Sequence, residues 1–182
     1  MEKKRNKTPR RISGKYLENA ALHYLQRYAT SAENLRRVLA RKVKRSCAFY
    51  KVPEDEFHPL IDNLIRRYQS SGLLNDKGFA EAKAATLRRQ GKSRRAIEAK
   101  LKEKGLGRAD IETAIEKSGG EDEDDFKAAC AFAKKKRLGP WRAKPLNDPK
   151  DARKEMAALA RAGFSYDVAR RALEYRGEDE DL

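Results

Sequence analysis

One pattern recurs along this chain and decides most of what it can fold into. Adding 62 to Leu17, Leu25, Arg27, Ser31, Leu35 and Leu39 lands on Phe79, Leu87, Arg89, Ser93, Ile97 and Leu101. Adding 58 then carries Leu101, Gly105 and Leu106 to Leu159, Gly163 and Phe164. Apolar residues between these landmarks fall at helical spacing, with serine or aspartate before a helix and glycine after it. The sequence therefore reads as three copies of one three-helix unit.

The repeat also resolves a conflict in composition. Leu, Ile, Val and Phe together make up 33 of 182 residues, about 18%, and the formal charge is +15. That combination borders on a disordered chain. β-branched residues are scarce and Ala is abundant, which disfavours sheet and favours helix. One unit of this size buries little apolar surface alone, but tandem units share their boundaries. The expected fold is all-α, three tandem three-helix repeats in an elongated, curved array. Its boundaries are a disordered basic arm at 1–13, repeats at 14–70, 71–119 and 120–176, and an acidic tail at 177–182.

Within the first repeat, Leu17, Ala21, Leu25 and Tyr28 share one helical face. Ser31 caps a second helix bearing Leu35, Leu39 and Val43. A longer loop around Cys47–Pro53 leads to a third helix with Leu60, Ile61, Leu64, Ile65 and Tyr68 turned inward. Ser71-Gly72 breaks the chain, and Asn75 or Asp76 caps the next helix. Ser93 caps another, and Gly105 and Gly119 close two more. Asp148-Pro149 is a strong helix start, a capping residue followed by proline at the first position.

Several function classes are disfavoured. No stretch approaches the length of an apolar membrane span, and no secretory h-region follows the basic N-terminus. Cys47 and Cys130 form no metal spacing or disulfide framework, and His23 and His58 are the only histidines. No phosphate-cradling glycine loop or nucleophile–base set is present. The expectation is a cytoplasmic, monomeric protein that is not an enzyme, with no catalytic residues, no metal and no cofactor.

Charge is the informative feature. Residues 1–70 carry a net +10, residues 71–118 a net +5, and residues 119–182 none. Such a gradient suits a polyanion or an acidic protein surface. Two clusters stand out as binding candidates. Arg36, Arg37, Arg41 and Lys44 lie on the polar side of the second helix. Arg88, Arg89, Lys92, Arg94 and Arg95 form the second cluster, and charge reversal at Arg88, Arg89, Arg94 and Arg95 is expected to spare helical content. Arg94 and Arg95 fall in a helix's first turn, where cations oppose the dipole by roughly 0.3–1 kcal/mol each. An anion or carboxylate-rich partner near that helix start is one reading of this, and a solvated basic turn is the other. Lys134–Arg137 sits at a helix end, where the dipole itself favours cations.

Three stretches carry a family resemblance. Ala21–Tyr28 with Ser31 and Glu33–Leu39, then Ser71–Ala80 followed by Arg88–Ser93, and finally Leu159–Tyr166, are similar to the repeats of RecX regulatory proteins. The resemblance spans about residues 15–175. Asn75 departs from it where an acidic residue is common, and the basic arm and the Cys47–Glu56 spacer lie outside it. The resemblance implies a non-enzymatic modulator that binds the groove of the RecA–single-stranded DNA filament. It implies restraint of filament extension, ATP hydrolysis and strand exchange in recombination and DNA repair, with DNA touched directly or through the filament. The competing reading is a stand-alone DNA-binding protein that uses one unit as a helix-turn-helix.

Overall fold

The computed structural model describes residues 8–119, 122–143, 145 and 148–176. Nine α-helices and two 3-10 turns make up the regular structure among them, with no strand. The chain divides into two compact units, residues 1–79 and 80–182. The acidic tail at 177–182 and residues 1–7 of the arm lie outside the described residues.

The first unit holds α1 (Gly14–Leu25), α2 (Ala32–Tyr50) and α3 (His58–Ser70), with a 3-10 turn over Asp55–Phe57 before α3. Ser13 and Ser31 cap α1 and α2, each hydroxyl accepting a backbone N–H three residues on. Leu17, Leu35, Leu39, Val43, Ile61 and Ile65 form the core. The α2 helix runs into the segment expected as a loop, as far as Tyr50, and Lys51 in the left-handed region ends it. Ser46 and Cys47 keep it helical, because they continue the buried face begun at Leu39 and Val43. Leu60, expected inward, is instead exposed, as is Tyr28.

Residues 8–13, expected as part of a disordered arm, are held against this extended α2. Ser46 Oγ donates to the carbonyl of Arg10 at 2.9 Å, and Tyr50 Oη to that of Pro9 at 2.9 Å. The Arg11 guanidinium lies 5.0 Å from the Tyr50 ring centroid. The extra turns of α2 thus supply the polar groups that satisfy the arm's backbone.

The α4 helix (Asp76–Arg89) begins in the first unit and continues into the second. The second unit then contains α5 (Arg94–Glu103), α6 (Arg108–Lys117), α7 (Asp122–Lys136), α8 (Pro149–Arg161) and α9 (Tyr166–Glu174). A 3-10 turn over Gly139–Trp141 lies between α7 and α8. Phe126, Ala129, Cys130, Leu159, Phe164 and Ala169 make one core cluster. Ala80, Ala84, Leu87, Ile97 and Leu101 are buried along α4 and α5.

Burial refines the repeat register. In the first helix the matching positions differ by 63, since Leu17 and Ala21 correspond to buried Ala80 and Ala84. In the second helix Leu35, Ile97 and Glu155 occupy one position. Glu155 is 9% exposed and accepts from the Gly139 N–H at 3.0 Å and from Arg142 Nη2 at 2.8 Å. A carboxylate in a core position therefore anchors the long loop of the third repeat, which sets Trp141 against Tyr175 with ring centroids 5.9 Å apart. Gly139 is itself buried, and a Cβ there would meet the Leu173 backbone at 2.9 Å.

Candidate interaction surface

A shared joint positions the cationic side chains. In both of the first two repeats the second helix starts with a buried serine cap, Ser31 or Ser93. The next backbone N–H is bound by an aspartate of the following repeat. Ala32 N–H donates to Asp76 Oδ1 at 2.7 Å, and Arg94 N–H to Asp125 Oδ1 at 2.8 Å. These carboxylates satisfy an orphan donor and complement the helix N-terminus. In the third repeat the residue that follows the helix cap is Pro149, which has no N–H to offer.

The joint at Ser93 places the second cluster. Arg88 is not a surface residue: its side chain is only 13% exposed and pairs with the equally enclosed Asp125 at 2.5 Å. It also donates to the carbonyls of Gly119 and Lys92. Arg88 therefore belongs to the scaffold around Ser93 and not to the exposed surface on which it was expected. Ser93 Oγ donates to the Ala162 carbonyl at 2.8 Å. Gly163, with φ +92, lets the chain pass, since a Cβ would lie 2.6 Å from that hydroxyl. The anion anticipated near Arg94 and Arg95 is thus supplied by the chain itself, through Asp125.

Arg89, Lys92, Arg94 and Arg95 are exposed. Arg88, Arg89 and Lys92 line a groove of about 940 Å³ in the second unit, whereas Arg94 and Arg95 stand outside its lining. The opposite wall brings Lys127, Lys135, Lys136 and Arg161 from α7 and α8. Sequence reasoning left these four out of the site. Their signal, lysines eight residues apart on α7, becomes legible only once α7 is known to face α4 and α5. Asp124 is the one acidic residue in the lining, and Ala96, Ala128, Ala131 and Phe132 provide apolar surface.

In the first unit the α2 cluster is exposed along Arg37, Arg41 and Lys44. Arg36 pairs with Asp62 of α3 and with Glu33, and Arg37 with Glu33 at 2.9 Å. Ion pairs this exposed contribute little to stability, about 0–1 kcal/mol each. Burial pushes the Cys47 thiol above its ordinary pKa, with Glu54 and Glu56 adding to the effect, so the thiol stays neutral and unreactive. Among the described residues, no group of three or more His, Cys, Asp or Glu is placed to hold a metal ion. Likewise, no helix there is long and apolar enough to cross a membrane.

The arrangement has relatives. Family models for the second and third three-helix domains of RecX match residues 75–115 and 122–173. The chain is 41% identical to the regulatory protein RecX of Myxococcus xanthus over 92% of its own length and 89% of that protein's. It is 29% identical to the RecX of Agrobacterium fabrum over 92% and 87% of the two chains. A crystal structure of RecX from Lactobacillus salivarius aligns with a TM-score of 0.66 at 22% identity, covering 88% of this chain and 94% of that one, and so shares the fold. Helices in threes, the punctuation between them and these likenesses place the chain in the RecX family of regulatory proteins.

Proposed function

We propose that this protein is a non-enzymatic regulator of the RecA recombinase, acting in the cytoplasm as a monomer. It binds the RecA–single-stranded DNA filament in its groove and restrains extension, ATP hydrolysis and strand exchange. Membership of a family of regulatory proteins over nearly the whole chain carries this reading. The exposed cations are its physical complement. Arg37, Arg41 and Lys44 in the first unit, and Arg89, Lys92, Arg94 and Arg95 in the second, are side chains that can meet an anionic surface. Arg36 contributes at the edge of the first set, and Arg88 acts by holding the second set in place.

The test is RecA-dependent ATP hydrolysis on single-stranded DNA. Substoichiometric protein is expected to slow it and to shorten filaments. Unchanged hydrolysis and filament length at saturating protein defeat the proposal. Tight, sequence-dependent binding to duplex DNA without any recombinase selects the stand-alone reading instead. Weak, salt-sensitive binding does not, because phosphate contacts alone produce it.

A further inference from the structure

The groove of the second unit has more positive charge than its surroundings account for. Seven cations and one carboxylate line it. Asp125 neutralises Arg88, and Asp124 can offset one more. The C-terminal ends of α4, α7 and α8 lie along it, each worth about half a negative charge. An excess of about three to four positive charges remains on that accounting. It is spread along both walls, over a floor of alanine.

We propose that this groove is a docking site for an acidic polypeptide segment with small apolar residues between its carboxylates. Charge complementarity sets the sign of the ligand, and the rest of the groove sets its class. Single-stranded nucleic acid is held by a cationic track for its phosphates together with aromatic faces on which its bases stack. The one aromatic residue in the lining, Phe132, is already paired with Phe164 at 5.9 Å. A phosphate backbone also meets repulsion from Asp124, whereas a peptide presents N–H groups that a carboxylate accepts. Ala96, Ala128 and Ala131 leave room for an extended backbone and cover small side chains. This inference goes beyond the RecA proposal and holds whichever protein supplies the segment.

The test uses the full chain and three fluorescent probes: a Glu-Ala repeat peptide, a Gln-Ala peptide of equal length, and an oligothymidylate matched in charge to the first. The Glu-Ala peptide is expected to bind best. Lys127→Glu/Lys135→Glu/Arg161→Glu weakens it about tenfold or more, equivalent to about 1.4 kcal/mol. All three positions are exposed, and helical circular dichroism checks that the fold survives. A second variant, Lys127→Gln/Lys135→Gln/Arg161→Gln, gives a smaller loss in the same direction without introducing acid. Peptide affinity unchanged in both variants overturns the proposal. So does an oligothymidylate that binds more tightly than the Glu-Ala peptide and is lost with the same substitutions.

Discussion

The start of α2 and the start of α5 are the same structure built twice, and they differ in what surrounds it. Each has a buried serine cap and an aspartate from the next repeat on the following N–H. Around Ser31 the first turn carries Ala32 and Glu33. Around Ser93 the aspartate also takes Arg88, and the first turn carries Arg94 and Arg95. The first joint follows every local rule of helix capping. The second breaks one of them, and an enclosed ion pair accompanies the exception. A conserved geometry thus carries two surfaces, one acidic at its first turn and one basic.

The largest expected effect tests the ion pair. Arg88→Ala leaves Asp125 enclosed without its charge partner, and loss of one member of a buried pair costs roughly 3–5 kcal/mol. The thermal midpoint should fall by several degrees. Leu25 holds the corresponding place in the first repeat and brings Asp76 no charge, and its exposed neighbour Gln26 should tolerate alanine with little change. Equal effects at the two positions would remove the distinction between the joints.

Next in size is the aspartate itself. Asp76→Asn and Asp125→Asn each weaken a charge-assisted bond to a helix N-terminus, worth about 1.5–3 kcal/mol. Asp125→Asn should cost more, because it also strips Arg88 of its partner. Denaturant midpoints for the pair give the order directly. A smaller loss is expected at Gly163→Ala, where the positive φ and the 2.6 Å approach to Ser93 Oγ both oppose a side chain. Replacing a left-handed glycine costs about 1 kcal/mol or more, and here the effect should be confined to the second joint.

Local features of these joints were legible in the sequence because they depend on neighbours three or four residues apart. The serine caps, the Asp148-Pro149 start and the inward face of α3 are of that kind, save for Leu60. What escaped was set by contacts between distant segments. Arg88 looks like its neighbour Arg89 until Asp125, 37 residues away, encloses it. The groove cations on α7 and α8 are unremarkable until α4 and α5 face them. The arm appeared solvated because its partners, Ser46 and Tyr50, lie in turns of α2 that periodicity alone did not extend. Binary pattern fixes which face of a helix is buried, but not which helix covers it.

The smallest expected change in stability sharpens the comparison most. Arg95 and Glu33 occupy equivalent places in the first turns of α5 and α2. Arg95→Glu therefore gives the second joint the first joint's chemistry. An acid there complements the helix dipole where the arginine opposed it, so stability should rise by about 0.3–1 kcal/mol. The carboxylate of Asp125 nearby keeps the gain toward the lower end. If the cation is present for a partner, the same substitution should reduce the proposed inhibition of RecA-dependent ATP hydrolysis while the fold becomes no weaker. A variant that is more stable and equally inhibitory would show that Arg95 serves neither the joint nor the surface. A variant that is more stable and less inhibitory would show that this first turn gives up local stability for binding, which the first joint does not do.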